Sequence, residues 1–178
     1  MIIRSTNTED LDAILMVHEN AFGQNDEALL TAVLLADPSA VPQISLIAIV
    51  DGQPVGHILF TRASITCSEI SVTASILAPL AVVPEVQGTG IGGALVRNGL
   101  QRLAADETDL VFVLGHPSYY PRFGFQPAGV CNLNAPYPIP PQHADAWMVL
   151  ALTDGMIGAV QGQVTCADTL SRPEYWIE

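Results

Sequence analysis

The sequence predicts one α/β domain over residues 1–178, of the mixed α+β kind: an antiparallel meander followed by a parallel pair of strands. Three observations carry this. Between residues 45 and 83 three β-type runs follow one another with only short polar turns between them. A helical period then opens at Gly90, with Ile91, Ala94, Leu95, Leu100 and Leu103 on one face and Arg97, Asn98, Gln101 and Arg102 on the other. After that helix comes the unbroken apolar run 110–114, a strand covered on both faces and therefore parallel to the one before the helix. A chain of 178 residues suits a single core, and no linker, repeat or low-complexity stretch divides it.

In chain order, residues 2–4 read as a short first strand. Thr8 stands where an N-cap belongs, with Glu9 and Asp10 in the first turn of a helix carrying Leu11, Ile14, Leu15 and His18. His18 reads as a packing or helix-surface residue rather than a ligand. Phe22-Gly23-Gln24-Asn25 interrupts the period, and a second helix spans about residues 26–35 until Asp37-Pro38 stops it. Residues 45–50 form a strand, Asp51-Gly52 is a two-residue hairpin signal, and 55–65 return. Residues 66–69 make the next turn, and 70–83 the third, long strand. Pro79 inside that strand predicts a bulge or a parting of strands just before Leu80-Ala81-Val82. After the parallel strand come Gly115-His116-Pro117 and the aromatic stretch 118–125. A proline-rich loop over 134–141, a strand over 146–152, and a turn with a strand near 162–164 complete the chain.

Composition narrows the function. The chain is 49% hydrophobic and 13% charged, hence folded. Its formal net charge of −12 disfavours nucleic acid, which needs a basic surface, and leans toward a neutral or cationic substrate. Cys67, Cys131 and Cys166 are odd in number and widely spaced. They form neither a disulfide framework nor a metal-ligand spacing, which points to no metal and a reducing, cytoplasmic compartment. The N-terminal residues have no signal-peptide layout, and no apolar run reaches the roughly 20 residues of a membrane helix.

The chemistry concentrates after the third strand. Glycine costs about 1 kcal/mol relative to alanine inside a helix, yet Gly88, Gly90 and Gly92 stand together at a helix entry. Close approach of a ligand to bare N–H groups is a sufficient reason, and the helix dipole favours an anion there. The run 88–93 formally fits a dinucleotide fingerprint, with Asp106 or Asp109 as the distal acid. Against that, Pro84 to Gln87 separate strand from glycines, three antiparallel strands precede the turn, and too little chain remains for a doubly wound sheet. No Lys-Ser or Lys-Thr follows, so a Walker-type loop is excluded.

Gln87-x-x-Gly90-x-Gly92, with Pro84-Glu85 upstream and Tyr120-x-x-x-Gly124-Phe125 downstream, resembles the acyl-CoA signature of the GNAT N-acetyltransferase superfamily. Residues 119–125, after an apolar strand ending in Leu-Gly, resemble its bacterial YhbS-like branch. The resemblance implies a GNAT-like fold whose parallel pair parts to hold acetyl-CoA. It implies that the amides of Gln87, Gly88, Thr89, Gly90, Ile91 and Gly92 hold the pyrophosphate, and that the backbone of Leu80, Ala81 and Val82 pairs with the pantetheine arm. The Ala81 or Val82 amide would polarise the thioester carbonyl, and Tyr120 would protonate the leaving thiolate. For the base, Glu85 and His116 are the candidates; a helix-entry carboxylate and a local hydrogen bond are their bland alternatives, and a water chain is a third option. Glu69 and His57 read rather as surface or core residues. Arg122 either reaches cofactor phosphates or makes a structural ion pair. The implied function is acetyl transfer to an amine, with a non-catalytic acyl-CoA sensor as the alternative; dimers are common in the superfamily.

Overall fold

The computed structural model describes residues 1–66 and 69–177. β1 (Ile2–Ser5) leads through one 3-10 turn, Thr8–Asp10, into α1 (Leu11–Phe22). The cap of that entry is Asn7 rather than Thr8. The Asn7 side chain accepts from the Glu9 N–H, and the Asp10 carboxylate accepts from the Asn7 N–H, the reciprocal arrangement of a capping box. Asparagine outranks threonine as a cap. Asp10 also takes both Arg4 guanidinium nitrogens at 2.7 Å, which ties the helix entry to β1. α1 ends on Gly23 in the left-handed region (φ +70°), and α2 (Asp26–Ala36) follows.

β2 (Ile44–Val50) and β3 (Gln53–Thr66) pair antiparallel across Asp51-Gly52, both at positive φ as a type I′ turn requires. The third strand, β4 (Ala74–Val82), is shorter than the 70–83 expected. The reason lies in its partners. Beyond Ala63, which faces Ala74, β3 turns to pair with the C-terminal strand β9 (Gly162–Thr165). The chain before β4 is instead held by Asp109, whose carboxylate accepts the Thr73 N–H at 2.9 Å and whose own N–H bonds the Thr73 carbonyl. Of the turn expected at 66–69, Cys67 and Ser68 lie outside the described residues.

α3 (Ile91–Ala105) crosses over, and β5 (Leu110–Leu114) joins β4 in parallel, as expected. Two short strands, β6 (Gln126–Pro127) and β7 (Leu133–Asn134), precede β8 (Trp147–Ala151), which runs antiparallel to β5. The main sheet has the order β1-β2-β3-β4-β5-β8-β6, while β9 links β3 to β7. Strand alternation sends residues to two cores. Phe60, Leu77, Val111 and Val113 meet Leu95 and Leu100 of α3 in one; Leu59, Ile76, Phe112 and Trp147 meet Leu34 of α2 and the C-terminal Leu170 and Trp176 in the other. The tail is fastened there by Asp37, whose carboxylate accepts from Ser39 and from both the N–H and the hydroxyl of Thr169.

Candidate active site

The site is built where β4 and β5 separate. From Ala74 to Leu77, β4 pairs with β5 on one edge and with β3 on the other. At Ala78-Pro79 the register against β3 shifts: Phe60 faces Leu77, but Ile58 faces Leu80. That is the bulge expected from Pro79, which has no N–H to give a ladder. Beyond it the described residues of β4 have no strand partner on the β5 side. Val83 donates its N–H to the Val55 carbonyl at 2.9 Å. By antiparallel alternation, Ala81 then faces β3 as well, and the backbone groups of Leu80 and Val82 face the gap. The Val82 carbonyl is taken by Gln87 Nε2 at 2.9 Å, which leaves its N–H for the gap.

The gap leads straight to the glycine turn. Pro84–Val86 form a 3-10 turn, and Gly90 at φ +94° is the N-cap of α3, with no side-chain cap. The amides of Ile91 and Gly92 therefore begin a 15-residue helix without intrahelical acceptors. Of the amides from Gln87 to Gly92 expected to hold the pyrophosphate, two are engaged within the turn, which corrects that set: Gln87 N–H donates to the Pro84 carbonyl (3.3 Å) and Thr89 N–H to the Val86 carbonyl (3.4 Å). The Thr89 hydroxyl also closes on the Val86 carbonyl, at 2.6 Å. The glycines have two separate causes. Gly88 (φ +76°) and Gly90 are demanded by backbone conformation and face open space, whereas Gly92 is demanded by crowding, since a β-carbon there would lie 2.9 Å from the Tyr119 hydroxyl.

Tyr119 and Tyr120 stand side by side after β5 and point to different places. The His116 carbonyl receives the Tyr119 N–H at 2.9 Å and so starts the turn Tyr120–Phe123, which Gly124 ends at φ +96°. Tyr120 is buried at 8% exposure. Its ring lies against Gly115 at the end of β5 and edge-on to Phe125, at 5.7 Å between centroids. Tyr119 is half-buried, with its hydroxyl at Gly92 beside the Val82 and Leu80 side chains; burial raises its pKa above the ordinary phenol value, with Arg122 and Arg97 opposing. Sequence reasoning passed over Tyr119 and Arg97. The available signal was the tyrosine pair itself, placed opposite a glycine that no turn requires.

Glu85 and His116 are both exposed and follow the C-terminal ends of β4 and β5 in the chain. Glu69 is exposed as well. His57 faces Ala81 across the β3–β4 ladder and is fully buried. Its Nδ1 meets His18 Nε2 at 2.9 Å and its Nε2 meets Ser45 Oγ at 2.9 Å. Burial lowers the pKa of His18 to about 4 and that of His57 to about 3, the latter with help from His18, so both are neutral near pH 7. His18 is thus a packing residue, and the pair links α1 to the strand that backs the gap. Among the described residues no cluster of metal-ligating side chains occurs, and no helix is long and apolar enough to cross a membrane.

The geometry agrees with the relatives. Residues 2–128 match the acetyltransferase (GNAT) domain model. The chain is 48% identical over 164 residues to the uncharacterized N-acetyltransferase YjhQ of Escherichia coli K12, covering 92% of this chain and 90% of that protein. It is 29% identical to the uncharacterized N-acetyltransferase YhbS of the same organism, over 97% and 99% of the two chains. The crystal structure of E. coli YhbS in complex with CoA superposes with a TM-score of 0.85, at 28% identity over 96% of this chain and 92% of that one. A GNAT acetyltransferase of Brucella melitensis in complex with acetyl-CoA gives 0.74, at 30% identity over 95% and 97%. By domain match, by relatives along nearly its whole length and by fold, the chain belongs to the GNAT acetyltransferase family.

Proposed function

We propose that the protein transfers an acetyl group from acetyl-CoA to an amine by direct attack. The observation that carries this is the one-sided half of β4: a strand edge facing a gap, ending at the uncapped N-terminus of α3. The residues present fit the donor. The Leu80 and Val82 edge suits the pantetheine amides, with Ala81 supporting it through β3. The first-turn amides of Ile91 and Gly92 suit the pyrophosphate, with Gly88, Thr89 and Gly90 shaping the turn and Gln87 pinning it to Val82. Of the two amides considered for polarising the thioester carbonyl, the alternation favours Val82 over Ala81. Two relatives of 28% and 30% identity are crystallised with CoA and acetyl-CoA respectively, which supports the same donor here.

Transfer needs a proton taken from the amine and one given to the thiolate. Tyr120, at the start of the turn that follows β5, holds the position of the family tyrosine and donates the second; a phenol with a pKa near 10 is protonated at neutral pH. Glu85 and His116, exposed just past the ends of β4 and β5, are the candidates to receive the first, directly or through water. The acceptor is a small-molecule or peptide amine, and the −12 net charge favours a cationic one. The test is release of free CoA thiol from acetyl-CoA across a panel of amines, with acetyl-CoA and NAD compared for thermal protection. Thiol release with protection by acetyl-CoA alone is expected. Acetyl-CoA binding without release from any amine would leave a cofactor-binding sensor of the same fold.

A further inference from the structure

Two guanidinium groups and a phenol converge on the first turn of α3, on side chains that the glycine signature does not include. We propose that Tyr119, Arg122 and Arg97 form a side-chain wall of the cradle that binds a phosphate of the CoA donor, so that the cofactor is held between backbone amides on one side and these side chains on the other. This rests on the donor reading above.

The Arg122 guanidinium lies over the Tyr119 ring at 4.6 Å, and the Tyr119 hydroxyl lies against Gly92. The Arg97 guanidinium lies 5.8 Å from the Phe123 ring, and its two terminal nitrogens would be 3.3 Å from a β-carbon on Gly93. Each arginine thus lies over an aromatic face. Among the described residues the one ion pair is Arg4–Asp10, and Arg102 is engaged by Asn98 and Ser5. Among the described residues Arg97 has no carboxylate partner, and Arg122 makes a long contact, 3.5 Å, to the Ser118 carbonyl.

The charge balance gives this arrangement its purpose. All six cationic side chains are arginines, set against eighteen acidic residues. CoA carries several phosphate charges, so a protein of net charge −12 repels it at long range. Two of the six cations at one helix start, added to the helix dipole, make this the place where that repulsion is offset locally. A phenol donor among them completes a site for phosphate oxygens.

Calorimetric Kd values for CoA and for dephospho-CoA, which lacks the 3′-phosphate, test the wall in the full chain and in Arg97→Gln, Arg122→Gln and Tyr119→Phe, with melting curves as a check on folding. Each arginine variant is expected to bind CoA about tenfold more weakly. Its Kd should also depend less steeply on salt between about 0.05 and about 0.5 M. Tyr119→Phe is expected to lose about threefold. If dephospho-CoA is spared, the wall holds the 3′-phosphate; if both ligands weaken alike, it holds the diphosphate, and either result upholds the proposal. CoA affinity within twofold of the parent in both arginine variants would overturn it, as would a loss that leaves the salt dependence unchanged. Failure of the parent protein to bind CoA at all would instead remove the donor reading.

Discussion

The two halves of β4 have nearly the same apolar sequence and opposite fates. Ala74-Ser75-Ile76-Leu77 is paired on both edges and buried on both faces; Leu80-Ala81-Val82 is paired on one edge, with Leu80 and Val82 only half-buried. Ala78-Pro79 between them shifts the register and ends the ladder to β5. The first half is core, so its side chains matter and its backbone is used up. In the second half one backbone edge is left unpaired among the described residues, and it is this edge that the proposed function uses. Substitutions in and around the two halves should therefore separate stability from ligand binding.

The largest separation is expected at Gly92, which faces the open half. Gly92→Val puts side-chain atoms where the Tyr119 hydroxyl now lies, in the first turn of α3, whose amides have no intrahelical acceptors. CoA binding should fall by about a hundredfold or more, on the order of 3 kcal/mol, while the melting temperature moves little because the position is a helix start rather than a core site. Unchanged affinity would show that this turn does not hold the cofactor. Next is Tyr120→Phe, which keeps the buried ring and removes the proposed acid. A fall in kcat of roughly a hundredfold is expected, with the Kd for acetyl-CoA unchanged. Full turnover at every pH would end the acid role. The reverse pattern at Tyr119, affinity without kcat, would confirm that the adjacent tyrosines divide the work.

The paired half gives the opposite prediction. Ile76 is 2% exposed and packs in the core with Phe112 and Trp147. Ile76→Ala should cost about 2–5 kcal/mol of stability by leaving a cavity, with acetyl-CoA affinity within twofold at temperatures where the protein is folded. A large loss of affinity would mean that the two halves are mechanically coupled through Pro79.

These contrasts also show what sequence could and could not reveal. The strand parting was legible because Pro79 removes a donor from an otherwise unbroken apolar run, and the hairpin because Asp51-Gly52 permits little else. The end of β4 was misplaced because Ile70-Ser71-Val72-Thr73 has strand-like composition, and only the distant β9 decides which partner β3 takes there. The Thr8 cap failed to a stronger competitor one residue earlier. In the site, Gly88 and Gly90 drew attention as a sign of ligand approach, and the structure adds that both sit at positive φ, a demand of the backbone that the glycine pattern alone does not reveal. Tyr119 and Arg97 are 22 residues apart by number and come to neighbouring glycines of one helix turn only because the segment after β5 folds back on α3. No local pattern encodes such a meeting.

The smallest effect concerns what keeps the open half rigid. His57 faces Ala81 and binds His18 of α1 and Ser45 of β2; Phe22 stacks on His18 from the same helix. Both imidazoles are buried neutral, with pKa values of about 4 and about 3 in the folded protein against an ordinary value of 6.5. The unfolded chain therefore binds more protons below pH 6.5, and stability must fall as the pH falls. The contribution is fully present above that value and is lost progressively toward pH 4 and 3, at a slope of up to about 1.4 kcal/mol per pH unit for each histidine. Asp10, held down to about 2 by Arg4, acts in the same direction but only below its ordinary value of 3.8, so the window between about pH 6 and about pH 4.5 belongs to the histidines. Urea midpoints across that window should decline in the parent and flatten in a His18→Phe, His57→Gln double variant. A flat profile in the parent would show that protonated imidazole is tolerated behind β4, and that the open strand is braced by its ladder to β3 alone.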